Sequence, residues 1–77
     1  MAKVNVPNTS RLQDERLFRR LSLRQVGRLT EIDFTVLSRI ETGERVPSEV
    51  QRERIAKELD VTPQYLFPEF YGIEGVA

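Results

Sequence analysis

Cysteine and histidine are both missing from this 77-residue chain. Without thiols there is no disulfide framework and no thiolate metal site. Without imidazoles, the commonest general base and metal ligand are gone as well. Neither a Gly-rich phosphate loop nor a carboxylate cluster stands in for them, so no enzyme, metal or cofactor is expected. Long apolar runs are absent too, and nothing approaches the ~20 residues that cross a bilayer. The opening stretch, MAKVNVPNTS, lacks the apolar run of a secretory signal. A soluble, cytoplasmic chain with no membrane association is the expectation. Net charge is the last absence, since twelve Lys/Arg balance twelve Asp/Glu.

What is present is unevenly placed. Residues 1–46 carry nine basic and six acidic side chains, and residues 47–77 carry three and six. Such a dipolar molecule can present a positive face despite its neutrality. The length suits one small domain with a single modest core.

The most informative stretch is residues 22–47, SLRQVGRLTEIDFTVLSRIETGERVP. Ser22 and Gln25 have capping-box spacing and predict a helix start. Val26 and Leu29 give that helix an apolar stripe. A mid-helix glycine costs about 1 kcal/mol against alanine, so Gly27 predicts a close helix crossing. Thr30, Glu31 and Ile32 make the corner, and Asp33 is a good N-cap for the next helix. Ile32, Leu37 and Ile40 face inward in this reading, while Phe34, Thr35, Ser38 and Arg39 share the outer face. Gly43 closes the second helix in a left-handed conformation and Pro47 prevents its resumption. Two short helices, a tight corner and a polar outer face on the second form a helix-turn-helix.

The flanks complete an all-α reading. Residues 1–9 read as a flexible arm in which Lys3–Val6 alternates like a strand that Pro7-Asn8 ends. It is either disordered or paired with another chain or the tail. Ser10, with Gln13 three on, opens the first helix, whose apolar residues are Leu12, Leu17, Phe18 and Leu21. Arg11, Arg16, Arg19, Arg20, Arg24 and Arg28 crowd this region, as a solvated face or a basic binding surface. Ser48 and Gln51 repeat the capping box for a fourth helix of about twelve residues, with Val50, Ile55, Ala56 and Leu59 as its buried stripe. Asp60-Val61 ends it. Thr62-Pro63 opens a short fifth helix, with Tyr65, Leu66 and Phe67 packed inward and Pro68 closing it. The tail, 68–77, carries Phe70, Tyr71, Ile73 and Val76. It covers the core, forms a subunit contact, or is loose.

Residues 37–48, LSRIETGERVPS, followed by IAKELDVTPQYLF at 55–67, resemble the Xre/Cro-type, lambda-repressor-like helix-turn-helix family. That family's pattern here is I-S-x-I-E-x-G-x-R-x-P-S, then I-A-x-x-L-x-V-x-x-x-x-L, and the spacing matches without a gap. The resemblance covers about residues 10–67 and implies a compact five-helix domain there, between the arm and the tail. It also implies that Arg16 in the first helix pairs with Glu41 across the core. A pair of that kind is structural, not catalytic.

The same resemblance implies a sequence-specific DNA-binding regulator, a repressor of phage, plasmid or mobile-element type, with helix 33–42 in the major groove. A homodimer on double-stranded DNA would place two such helices ~34 Å apart. Candidate base contacts are Phe34, Thr35, Val36, Ser38 and Arg39, and candidate phosphate contacts are Arg24, Arg28 and Arg45. The chain departs from the family at Leu23, where a phosphate-gripping glutamine is usual, and at Glu31, where the turn glycine is usual. Those departures, with Phe34 and Val36 on the outer face, keep a second reading open: a protein-binding module on the same fold, such as an antirepressor, antitoxin or polymerase-directed factor.

Overall fold

The computed structural model describes residues 7–71, with side chains from Arg11 onward. Five α-helices follow one another: α1 (Pro7–Phe18), α2 (Leu23–Thr30), α3 (Phe34–Thr42), α4 (Glu49–Glu58) and α5 (Pro63–Leu66). A 3-10 turn over Pro68–Phe70 comes last, and the described residues contain no strand.

Local chemistry accounts for most of the helix starts. Ser22 and Ser48 each accept from the backbone N–H three residues on, while Gln25 and Gln51 reach back to the cap N–H. Both are complete capping boxes. Thr62 caps α5 through the Tyr65 N–H, and Pro63 occupies the first turn, where its missing N–H goes unneeded. The same logic corrects the expected start of α1. The helix begins at Pro7, so Ser10 lies inside it and Pro7–Thr9 belong to the helix, not to an arm. The alternating Lys3–Val6 segment lies outside the described residues.

The ends of α1 to α4 are alike. Arg20, Glu31, Gly43 and Asp60 all have positive φ, at 59°, 63°, 86° and 60°. Around Arg20, Gly43 and Asp60 the chain closes with paired bonds such as Leu21 N–H to Arg16 O and Val61 N–H to Ala56 O. These are left-handed C-terminal closures of the Schellman kind, and only one uses glycine.

The core is a single cluster: Leu12 of α1, Val26 of α2, Ile32 of the corner, Leu37 and Ile40 of α3, Ile55 and Ala56 of α4 with Leu59 capping its end, then Leu66 and Phe67. Packing runs α1 and α2 on α3, α2 on α4, and α5 on both α1 and α4. Several residues expected inside are not there. Leu17 and Phe18 are 55% and 80% exposed, because Arg16, one turn beyond Leu12, occupies the inward line of α1. Leu29 is exposed because Thr30, one turn beyond Val26, is the buried residue, its hydroxyl donating to Val26 O at 2.7 Å. Val50 is 59% exposed, nearly half a revolution from the Ile55–Ala56–Leu59 face.

Tyr65 is also at the surface, in a polar seam between α1 and α5. Its carbonyl accepts from Arg11 at 2.6 Å and the Arg11 guanidinium lies 4.8 Å from its ring centre. Its hydroxyl donates to Glu15, and that carboxylate raises the phenol pKa by stabilising the protonated form. Glu15 also pairs with Arg19.

The described part of the tail covers the core. Phe70 packs against the cluster, its ring edge-on to Phe67 at 6.3 Å. Arg52 fastens this segment by stacking on Phe70 at 4.3 Å and donating to Tyr71 Oη and Pro47 O. Ile73 and Val76 lie outside the described residues.

Candidate nucleic-acid interface

The corner between α2 and α3 is tight because Gly27 lets the chain close on itself. A Cβ on Gly27 would sit 2.8 Å from the Ile32 carbonyl oxygen, a contact no side chain tolerates without backbone movement. Glu31 then turns the chain in the left-handed region, held by its N–H to Gly27 O. The two helices emerge with α3 packed against α2 and one flank of α3 uncovered by the other described residues.

Asp33 defines the start of that free flank. Its Oδ1 accepts from the Thr35 N–H at 2.8 Å and from the Thr35 hydroxyl at 2.7 Å. These two bonds, the hydroxyl's first, hold the Asp33 carboxyl below its ordinary pKa. Cap and charge therefore coincide: the carboxylate meets the positive end of the helix dipole.

Along α3 the helical repeat separates the expected contact residues. Thr35 and Arg39 are exposed and one turn apart; Ser38 is half-buried beside them. Val36 lies nearly opposite Ser38, half-buried against the core cluster. Phe34 is half-buried too, with the Arg24 guanidinium 4.2 Å from its ring centre. A shallow groove of about 320 Å³ runs along the free flank, lined by Leu23, Phe34, Thr35, Ser38, Arg39 and Glu44.

Most of the arginines fall into two groups. Arg11 and Arg16 of α1 and Arg19 just beyond it are committed inward or along the seam: Arg16 to Glu41 and the Leu21 carbonyl, Arg19 to Glu15, Arg11 to Tyr65. Arg20 next to them is exposed and has no ion-pair partner among the described residues. On α4, Arg54 reaches the Thr30 carbonyl and Glu31. Arg24, Arg28, Arg39 and Arg45 are exposed and, among the described residues, have no ion-pair partner. These four flank or lie on α3.

A helix-turn-helix domain family matches residues 10–66, most of the chain. The protein belongs to that family. No curated protein and no solved structure matches the chain.

Helix-turn-helix domains in general bind DNA, presenting their second motif helix to the major groove while neighbouring groups meet phosphates. By position, α3 is the second helix of the motif in this chain. Three features of its surroundings were not foreseen from the sequence. The Asp33–Thr35 pair was within reach, since an Asp two residues before a Thr at a helix start is an Asx-type signal. The stack of Arg24 on Phe34 follows from how α2 and α3 cross, and the place of Glu44 beside Arg39 follows from the closure at Gly43, where the Glu44 N–H donates to the Arg39 carbonyl. No helix among the described residues is long and apolar enough to cross a membrane.

Proposed function

We propose that this helix-turn-helix domain is a sequence-specific DNA-binding transcriptional regulator of the Xre/Cro type, acting as a repressor of the kind phages, plasmids and mobile elements encode. It binds double-stranded DNA as a two-fold dimer, with α3 of each copy in successive major grooves. The observation that carries the reading is the free flank of α3, where Thr35, Ser38 and Arg39 face outward while Arg11, Arg16 and Arg19 are internally occupied. Arg39 is the guanine or phosphate contact, Thr35 and Ser38 are polar base contacts, and Phe34 offers its ring edge to a thymine methyl. Arg24, Arg28 and Arg45 neutralise phosphates on either side and so set position rather than sequence.

The test is anisotropy of a labelled mixed-sequence duplex titrated with protein at about 50 and 200 mM salt, with light scattering for mass. Micromolar or tighter binding by a dimer, collapsing with salt, supports the reading. Absence of binding at low salt overturns it. The second reading, a protein-binding module, draws on the exposure of Leu17 and Phe18 at the end of α1. It predicts partner capture lost on Phe18→Ser, and duplex affinity no better than that of any weakly basic domain.

A further inference from the structure

Thr35 owns one hydroxyl proton, and the structure shows where it goes. Both Thr35 donors, the backbone N–H and the hydroxyl, point at Asp33 Oδ1. An ionised carboxylate accepts only, so the direction of the hydroxyl bond is fixed by chemistry. Such charge-assisted bonds are roughly twice as strong as neutral ones, so a base acceptor does not readily take the proton away. What Thr35 shows to a ligand is therefore its oxygen lone pairs. Asp33 Oδ2, with no partner among the described residues, is a second acceptor next to it.

Resting on the DNA-binding reading, we infer that Thr35 is an acceptor-only specificity residue: it takes a hydrogen bond from an exocyclic base amino group, cytosine N4 or adenine N6, and discriminates against guanine and thymine at that position. Asp33 is its positioning residue. In the major groove, guanine N7 and O6 and thymine O4 are acceptors and would meet lone pairs and a carboxylate, whereas cytosine N4 and adenine N6 are donors. One turn further on, Arg39 has only donors and suits guanine. Residues at i and i+4 stand ~6 Å apart on the helix surface and base pairs ~3.4 Å apart along the duplex. The amino base and the guanine thus fall within about two base pairs of each other.

The test begins with selection from a randomised duplex pool using the wild-type chain and Thr35→Val, which keeps the shape and removes the oxygen. The selected amino base is then replaced by an analogue lacking only that group, purine for adenine or 2-pyrimidinone for cytosine. Wild type should lose roughly five-fold in affinity on the replacement, the worth of one hydrogen bond. Thr35→Val should bind both duplexes alike while keeping its guanine preference and its helical circular dichroism, with a somewhat lower unfolding temperature from the lost bond to Asp33. Thr35→Ser should restore the difference. A wild-type chain indifferent to the missing amino group, or a Thr35→Val chain that still senses it, overturns the inference and leaves DNA binding standing. A pool that yields no bound duplex overturns both.

Discussion

Arg16 and Glu41 join α1 to the last turn of α3 through two parallel hydrogen bonds, Nε to Oε2 at 2.6 Å and Nη2 to Oε1 at 3.1 Å. Both side chains are at least nine-tenths buried, and a third arginine donor reaches the Leu21 carbonyl at 2.9 Å. Desolvating two charges offsets much of their attraction, so the pair as a whole adds little net stability. Removing one partner is a different matter, because the other is left charged and dry. Glu41→Ala should cost about 3–5 kcal/mol in urea unfolding, and Arg16→Ala a similar amount. The double change to Met and Leu should recover most of the loss. A single change costing less than about 1 kcal/mol would mean water reaches the site and the pair is not buried in solution.

Glu31 stands where the α2–α3 corner needs a left-handed residue, at φ 63° and ψ 31°. A side chain there costs about 1–2 kcal/mol in backbone conformation. Its negative charge also sits at the unfavourable end of the α2 dipole. Against these stands one exposed contact with Arg54 at 3.5 Å, worth ~0–1 kcal/mol. Glycine restores the conformation but enlarges the unfolded ensemble, which cancels part of the gain. Glu31→Gly should therefore raise stability by about 0.5–1 kcal/mol, or ~2–8 °C in Tm for a domain of this size. A lower Tm would mean that the Arg54 contact outweighs the backbone term.

The Asp33 cap gives a pH dependence whose sign follows from its bonds. Thr35's hydroxyl and then its N–H favour the ionised carboxylate, so the folded pKa lies below the unfolded one. A depressed acid contributes stability that is present above the unfolded value of about 3.9 and is lost as pH falls through the folded value. Asp33→Asn keeps a capping oxygen without the titration. Between pH 7 and 5 both proteins should hold their Tm differences steady; below about pH 4 the wild type should lose its advantage. Carboxyl NMR titration should place the Asp33 midpoint below that of an exposed aspartate. A midpoint above it would remove the charged cap and the acceptor role given to Thr35.

Much of this fold was legible because its signals are local. Capping boxes at Ser22/Gln25 and Ser48/Gln51, the caps at Asp33 and Thr62-Pro63, and Gly43 at the end of α3 each need only three or four consecutive residues. Side-chain facing was harder wherever a polar residue occupied an inward slot. Arg16 holds the inward line of α1 in place of Leu17 and Phe18, and Thr30 that of α2 in place of Leu29; the resemblance implied the Arg16–Glu41 pair, but apolar periodicity gives no sign of either polar residue inside. The outer face of α3 came from periodicity alone. Which arginines were left to serve it required tertiary contacts: Arg11 is occupied by Tyr65, 54 residues away in sequence. The Arg24–Phe34 stack likewise depends on the geometry of a helix crossing that Gly27 signalled only as close.

The split among the arginines predicts how salt dependence should respond to mutation. Phosphate contacts release counterions, so removing one lowers the slope of log affinity against log salt by about 1 per contact. Arg28→Ala and Arg45→Ala remove exposed cations that make no ion pair among the described residues, so stability should stay within about 0.5 kcal/mol of wild type. Each should weaken binding on every duplex alike and flatten the salt slope, by one contact per copy in a dimer. Arg19→Ala is the internal control. It has a similar charge but is spent on Glu15 in α1, so the slope should not move. Arg39→Ala should differ from both kinds, losing discrimination at one base position worth ~1–3 kcal/mol. If Arg19→Ala flattens the slope as much as Arg45→Ala does, the DNA lies against α1 and not along α3.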